Sequence, residues 1–306
     1  MLTLILRRFL TAIPTLLGVI LLSFLLMRFA PGGPFDGERL LDPATREALI
    51  AAYGMDKPLM VQFGTYIGNV LQGDFGPSLI YRDFTVTELV AKGLPVSLTL
   101  GALAMVLAMT LGIGTGLVAA AKPGGLVDRV LGVVSTLLTS VPSFVTAPLL
   151  VLLFALTLGW LPVSGWNDGA VLNMILPVIA LALPVAGSIA KLTRAGLAGV
   201  LAEDHVRTAR ARGLKPLIIL FRHALRPALV PVASYAAPAA AGLLTGAVVI
   251  ETIFALPGLG RYFVQGALNR DYPLVLAVVT LYAALIILFN LAADLVYGWL
   301  DPRVRG

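Results

Sequence analysis

The sequence has no cysteine and few charged residues, and each shortage narrows the class of protein. Without cysteine among its 306 residues, the chain can form neither a disulfide nor a thiolate metal site. Charged residues make up 12% of the chain, whereas soluble domains carry about 25%, and 58% of the residues are hydrophobic. This composition argues against a soluble domain and predicts an all-α integral membrane protein.

Sequence signals of catalysis are missing as well. The chain has no GxxxxGK[ST] phosphate loop, no HExxH and no GxSxG motif. Its two histidines, His205 and His223, share one loop without a dense set of carboxylate partners. We therefore expect no catalytic residue, no metal ligand and no cofactor-binding residue in this chain.

Six stretches of at least 19 residues lack Asp, Glu, Lys and Arg, and each can cross a bilayer core that needs about 20 apolar residues. They are 9–27, 93–121, 130–167, 169–190, 227–250 and 272–293. The third stretch is interrupted by Pro142 and Pro148, and we interpret it as one span; whether it contains a broken helix stays open.

Ionisable residues are absent from the middle of these stretches. Lys191, Arg194, Glu251 and Asp294 all fall at span ends. Carriers driven by protons or sodium generally need such groups at depth. If this chain transports a solute, we expect the energy to come from another protein.

Six spans divide the charges unevenly between the two sides of the membrane. The side with both termini carries 14 basic residues and 4 acidic ones, a net +10, and the opposite side carries 8 and 11, a net −3. The positive-inside rule then predicts that both termini are cytoplasmic. The first stretch has no small-x-small cleavage site, which favours a retained helix over a signal peptide.

The loop at 191–226 is the only cytoplasmic segment long enough to bind another protein. Within it, "EDHVRTARARGL" (203–214) holds five charged residues and a histidine. The alanines and basic residues favour a short helix, and Gly213 is expected to end it before a second helix begins. Two interpretations remain open: a basic anchor on anionic lipid, and a docking helix whose small residues Thr208, Ala209 and Ala211 fit a partner.

The segment "EDHVRTARARGLKPLIILFRHALRPALVPV" resembles the conserved cytoplasmic loop of bacterial ABC importer permeases. Arg207, Thr208 and Ala209 stand where that family usually has Glu-Ala-Ala, and "RTARARGL" is similar to the variant of peptide permeases. Further similarity lies in 249–275, in 290–305 and in the first span, and 73–101 resembles the B-type membrane subunit of oligopeptide importers.

The resemblance implies a six-helix protein with the type-1 permease core of five helices plus an N-terminal helix, in the bacterial cytoplasmic (inner) membrane. It implies an N-terminal tip and first helix at 1–30, an extracytoplasmic segment at 31–92, the core at 93–298 and a cytoplasmic tail at 299–306. It also implies an ATPase-coupling loop, which comprises Arg207, Thr208, Ala209, Arg210, Ala211, Arg212 and Gly213.

The partners implied by the resemblance are a homologous second permease, two ATPase subunits that bind ATP and Mg, an extracytoplasmic peptide-binding protein and membrane lipid, with no nucleic acid. The implied function is ATP-driven import of oligopeptides. Alternatives within the family are dipeptides, nickel or another small solute. Alternatives from other classes are a stand-alone secondary carrier or channel, and a structural or signalling membrane subunit.

A second candidate site is the turn that follows Glu251. The sequence "LPGLG" at 256–260 provides one proline and two glycines, which suits a tight extracytoplasmic turn that returns to the membrane surface. A plain connecting loop and a gate or receptor-docking turn built from Glu251, Pro257, Gly258 and Gly260 both remain open.

Overall fold

The structure, a computed structural model, describes residues 2–29, 54, 56–81 and 83–300, with side chains at 10–29, 54, 56–81 and 83–292. The described residues are almost entirely helical and form no β-strand apart from one isolated bridge between Pro77 and Thr85. The prediction of an all-α membrane protein is therefore confirmed. Residues 30–53 of the predicted extracytoplasmic segment, residues 301–306 of the predicted tail and the side chain of Asp294 lie outside what the structure describes.

Twelve α-helices are described. They are α1 (Leu2–Phe29), α2 (Leu59–Leu71), α3 (Val86–Ala121), α4 (Leu126–Ser140), α5 (Ser143–Leu150), α6 (Val171–Leu201), α7 (Asp204–Ala211), α8 (Pro216–Ile218), α9 (Leu225–Ala228), α10 (Val230–Ile253), α11 (Leu259–Leu268) and α12 (Tyr272–Leu300). π-Helical turns at Val151–Thr157 and Ile219–Ala224 extend α5 and join α8 to α9, and a 3₁₀ turn covers Asn167–Gly169.

Five of these helices, α1, α3, α6, α10 and α12, are long and apolar enough to cross a membrane. The remaining predicted span, the third along the chain, is a bent pair: α4 and the helix Ser143–Thr157 meet at 102°. Pro142 disfavours helical geometry at the residue before it, and Val141 is extended, with φ −89° and ψ 119°. The stretch 130–167 thus contains a broken helix.

The membrane-spanning helices extend beyond the uncharged stretches from which the spans were predicted. The second span begins at Val86 rather than at residue 93, because Thr85 and Glu88 form a reciprocal capping box there. The helix α3 has 36 residues, more than the roughly 20 that a span needs, so its charged first turns can lie outside the apolar core of the bilayer.

The core of the bundle is built where α3 and α6 pack closely. A Cβ on Gly112 would lie 2.6 Å from Cβ of Ile189, and a Cβ on Gly116 would lie 2.5 Å from Cβ of Thr193. Small residues let membrane helices approach in this way. The largest buried cluster joins side chains of α3, α5, α6 and α10, while α1 packs against α12 at the periphery.

Two smaller clusters mark the two ends of the bundle. One joins the start of α3 to α11 and α12, and it contains Val86, Leu259 and Tyr282. The other joins the end of α3 to α6, α7 and α9, and it contains Ala120 and Val206. The two candidate sites lie at these opposite ends.

Candidate functional sites

The segment α7 follows α6 with two residues between them and is attached to the bundle by one face. Val206 and Ala209 are buried against Leu197 of α6 and against Ile219 and Ala224. Apolar residues three apart lie on the same side of a helix, so this face anchors α7 to its own chain.

The predicted stop at Gly213 is observed. Gly213 has φ +75°, and its N–H donates to the Arg210 carbonyl at 2.9 Å, while the N–H of Leu214 donates to the Ala209 carbonyl at 3.3 Å. A Cβ at Gly213 would meet no atom within 4 Å, so the left-handed backbone alone favours glycine. The predicted second helix follows as α8, the π-helical turn and α9.

The opposite face of α7 is exposed, and it is basic. It carries the predicted coupling residues Arg207, Thr208, Arg210 and Ala211, and Arg212 and Gly213 are exposed in the turn that follows α7. Of the three small residues expected to meet a partner, Thr208 and Ala211 are exposed. The side chain of Ala209 instead points into its own chain, because it completes the anchoring face with Val206.

Sequence reasoning missed an apolar surface beside α7. Leu214, Leu217, Ile218 and Phe221 are exposed, and Leu217 is 68% exposed. Their spacing of i, i+3, i+4 and i+7 is the signal that could have identified one helical face. The exposed surface at this end is therefore basic on α7 and apolar on the segment that follows.

Behind α7, α6 touches the segment that leads into α10. A Cβ on Gly196 would lie 2.3 Å from the carbonyl oxygen of Ala228, so the two backbones are in direct contact there. The helix α6, which precedes α7, is therefore packed directly against α9, which leads into α10.

An ion pair ties α4 to α6 at the same end. Asp128 is buried, and its carboxylate accepts from Nη2 of Arg194 at 2.7 Å, from Nε of Arg194 and from the Gly124 N–H at 2.8 Å. The six-span interpretation places both residues on this side, but the sequence does not reveal their pairing. The side chain of Arg194 is 42% exposed, so the contact fixes orientation more than it adds stability.

At the other end, Glu251 is fully buried near the C-terminus of α10. Its Oε1 accepts from the Ser97 hydroxyl at 2.6 Å, and its Oε2 accepts from the N–H groups of Gly260 at 2.7 Å and Arg261 at 3.3 Å. The Ser97 oxygen accepts from the Leu259 N–H at 2.9 Å. Glu251 and Ser97 together hold the first turn of α11 against α3 and α10.

The glycines of the turn are explained by this carboxylate. A Cβ on Gly258 would lie 2.3 Å from Cδ of Glu251, and a Cβ on Gly260 would lie 2.3 Å from Cα of Val248. Pro257 is half-buried before them. The four residues singled out in the sequence, Glu251, Pro257, Gly258 and Gly260, are therefore brought together in one tight turn.

The backbone of this turn is strained and held by side chains. Ala255 has φ +52°, a left-handed conformation that is rare for alanine. Nη1 of Arg261 donates to the Ala255 carbonyl at 2.9 Å, and the Leu256 N–H donates to the Glu251 carbonyl at 2.8 Å. The turn is thus a defined structure rather than a loose loop.

A second buried carboxylate follows the other end of α11. Asp271 accepts from the Ser78 hydroxyl at 2.5 Å and from the N–H groups of Leu79 at 3.2 Å and Ile80 at 3.3 Å, and it accepts from the Leu274 N–H at 3.3 Å in the first turn of α12. A carboxylate therefore stands at each end of α11.

Tyrosines surround this region. Tyr81 donates a hydrogen bond to Oε1 of Gln265 and packs edge-on against Tyr262, with ring centroids 6.0 Å apart. Burial raises the pKa of both hydroxyls, so both stay neutral at physiological pH.

The described side chains at the two candidate sites do not form a metal-binding group. Among the described residues, no group of three or more histidine and carboxylate side chains is placed to hold an ion. The chemistry available at both ends is hydrogen bonding and shape, which suits docking and movement.

Comparison with known proteins gives consistent results. Residues 112–306 match the family described as binding-protein-dependent transport system inner membrane component. The chain is 51% identical to the oligopeptide transport system permease protein OppB of Salmonella typhimurium over 306 residues, with 100% of each chain covered. It is 39% identical to the dipeptide transport system permease protein DppB of Bacillus subtilis, covering 98% of this chain and 96% of that protein.

The fold is similar to one in a solved transporter. A chain of the inward-facing MetNI methionine ABC transporter matches 70% of this chain and 96% of its own length, with a TM-score of 0.60 and 17% identity. At that identity the likeness concerns the fold alone.

Proposed function

Because this chain belongs to the family of binding-protein-dependent transport system inner membrane components, we propose that it forms half of the translocation pathway of an ATP-driven oligopeptide importer. The observation that carries the proposal is 51% identity, over the whole of both chains, to an oligopeptide permease. The chain is a multi-pass inner-membrane protein, with five helices long and apolar enough to cross the membrane and one bent pair.

The partners follow from this role. A homologous second permease completes the pathway, two ATPases supply the energy with bound ATP and Mg, and an extracytoplasmic binding protein delivers the peptide. The missing phosphate loop supports the assignment of nucleotide binding to the partners rather than to this chain. In this proposal the chain binds no cofactor and no nucleic acid, and its uncharged surfaces contact membrane lipid.

The exposed face of α7 is the proposed contact with one ATPase. Thr208 and Ala211 leave room for close docking, and the arginines beside them suit an acidic partner surface. The buried face with Val206 and Ala209 supports this role, because a docked α7 then transmits force to α6 and α9. The competing interpretation, a lipid anchor, needs the charges but not the small residues.

The turn from Glu251 to Gly260 is the proposed gate on the opposite face of the membrane. Its buried carboxylate, its strained Ala255 and the re-entry of α11 distinguish it from a plain loop. Receptor docking at the same turn is compatible with this role.

The class of substrate is the most specific part of the proposal. Oligopeptides are favoured over dipeptides by the higher identity to oligopeptide permeases, 51% against 39%. The described side chains at the two candidate sites do not support nickel as the transported solute, because they form no metal-binding group.

The deciding experiment reconstitutes this chain into vesicles, alone and with its sister permease, the ATPases and the binding protein. We expect ATP-dependent uptake of a labelled oligopeptide by the complete complex only, with weaker competition by a dipeptide and none by Ni²⁺. The purified chain should hydrolyse no ATP. Uptake by the chain alone without ATP would instead identify a secondary carrier or channel.

A further inference from the structure

A cavity of about 580 Å³ lies between α1, α2 and the start of α12, and it belongs to neither candidate site. Its volume is within the range of ligand pockets, about 300–1,000 Å³. Among the described residues that line it, two are cations, Arg28 and Lys57, and none is a carboxylate. The cavity therefore offers positive charge to a ligand.

The side chain of Gln62 links the two cationic residues. Nη2 of Arg28 donates to Oε1 of Gln62, and Nε2 of Gln62 donates to the Lys57 carbonyl at 2.6 Å. The guanidinium of Arg28 also lies over the ring of Phe24, with Cζ 5.7 Å from the ring centroid. A guanidinium has five N–H donors, so Arg28 is held in place and keeps donors for a further acceptor.

The charges of both residues are uncompensated in the described part of the chain. No carboxylate there lies within ion-pair distance of Arg28 or Lys57. Arg28 is half-buried, and a partly buried charge without a counter-ion is costly. An anion with several acceptor oxygens would satisfy both residues, and a phosphate group has the geometry that arginine binds best.

The surroundings of the cavity are apolar, which favours a lipid over a water-soluble anion. On one side, α1 exposes Leu22 and Leu26. On the other side, α2 contains no charged residue and exposes Met60 and Leu71. Apolar surfaces of this kind are stable against acyl chains, so the two cations stand where lipid surrounds the protein.

A second groove adjoins the cavity and is mostly apolar. It lies between α1, α11 and α12, and it shares Met27 and Tyr272 with the cavity. Its lining includes Leu26, Phe263 and Val279. A molecule with a phosphate group and an acyl chain would therefore find a polar and an apolar site side by side.

We propose that this cavity binds the headgroup of an anionic phospholipid. The phosphodiester oxygens accept from Arg28 and pair with Lys57, and an acyl chain lies along the groove beside Met27. Two positive charges favour a lipid of net negative charge, such as phosphatidylglycerol, over the zwitterionic phosphatidylcholine. The site goes beyond the proposed function, because it lies at the periphery, where α1 packs against α12, and does not depend on the transported solute.

The test titrates the purified full chain, in detergent with an excess of phosphatidylcholine, with labelled phosphatidylglycerol. Removing both charges, by Arg28→Gln with Lys57→Gln, should weaken the affinity about fivefold for each charge, or about 25-fold together. Thr65→Trp should weaken it as well without any change of charge, because Thr65 lines the cavity on α2 and the indole ring would fill the space.

The matched control is Lys92→Gln. Lys92 is another cation at this end of the bundle, but it lies outside the cavity, with Nζ 4.1 Å from the ring centroid of Phe84. Its removal should leave the affinity for phosphatidylglycerol unchanged.

Three results would overturn the proposal. An equal loss of affinity in Lys92→Gln would show diffuse attraction between the lipid and the basic chain. Unchanged affinity in Thr65→Trp and in the double variant would show that the cavity is not the site. Displacement of the bound lipid by an excess of inorganic phosphate would identify a free anion as the ligand. The readout involves no transport, so failure of the proposed function would not alter it.

Discussion

At the scale of single residues, the glycines of α3 illustrate what periodicity predicts and what composition does not. The segment 112–116 holds three glycines, Gly112, Gly114 and Gly116, and small residues of this kind permit close contact between membrane helices. Only Gly112 and Gly116, four apart, face α6; a Cβ on Gly114 would meet nothing within 4 Å. The helical period separates the three, because residues two apart point to different sides.

This difference gives a prediction with an internal control. Gly112→Ala should lower the melting temperature of the purified protein, because its Cβ would lie 2.6 Å from Ile189 and overpacking typically costs about 1–3 kcal/mol. Gly114→Ala, in the same helix, should leave the melting temperature unchanged or raise it slightly. Equal loss of stability in both variants would contradict the close α3–α6 contact.

Glu251 shows the limit of sequence reasoning at a single position. The sequence located the turn and its glycines, since Pro and Gly report local backbone geometry. It could not find Ser97, which lies 154 positions away and reaches Glu251 only through tertiary packing. The same holds for the Asp128–Arg194 pair, where each residue was visible and the contact was not.

At the scale of elements, the sequence does not distinguish the prolines that end a helix from the prolines that lie inside one. Pro142 ends a helix, yet Pro95, Pro177, Pro184 and Pro238 lie inside helices that continue. The continuing helices α3, α6 and α10 each bury a long face, whereas α4 buries only Asp128 and Ser135. Burial alone does not separate the two outcomes, because α1 also continues past Pro14 at the periphery of the bundle, and α5 continues past Pro148 although it buries only Ala147.

The orientation of α7 decides how its docking role should be tested. Ala211→Trp and Thr208→Trp place a bulky ring on the exposed face and should release the ATPase or uncouple hydrolysis from uptake, while the protein stays inserted. Arg210→Lys with Arg212→Lys preserves charge and should do much less damage. Retention of the ATPase on the purified complex and peptide uptake in vesicles are the measurements.

Ala209 is unsuitable for that test, because a tryptophan there would disrupt the cluster with Val206 and Ile219 whatever binds outside. If both outward tryptophan variants retain the ATPase in full, while removal of the arginine charges abolishes membrane placement, α7 is a lipid anchor. The sequence predicted the helix and its end at Gly213 correctly, but the face of Ala209 depended on tertiary contacts.

At the scale of the whole molecule, the bent pair determines topology. If α4 and the helix after it cross the membrane once, six spans place both termini on the same side; if they re-enter, five spans place them on opposite sides. The charge difference of +10 against −3 favours six spans with cytoplasmic termini. Hydropathy predicted the number of apolar runs well, because a long uncharged run leaves few alternatives to burial in lipid.

Accessibility reporters can test this arrangement. Reporters at Asp56 and Asp168 should be found outside the cytoplasm, and one after Gly306 should be found inside. Cytoplasmic labelling at Asp168 would rule out the six-span arrangement, and an external signal after Gly306 would favour the re-entrant pair.

The contact between Gly196 and Ala228 has a mechanical consequence. The helix α6 runs from Val171 to Leu201, so 196 − 171 = 25 residues lie on one side of this contact and 201 − 196 = 5 on the other. At 1.5 Å per residue the two arms measure about 38 Å and about 8 Å. Because α3 packs against the long arm at Ile189 and Thr193, α6 can turn about this contact only together with α3, and a shift of about 1 Å beside α7 then corresponds to about 5 Å at the far end of the two helices.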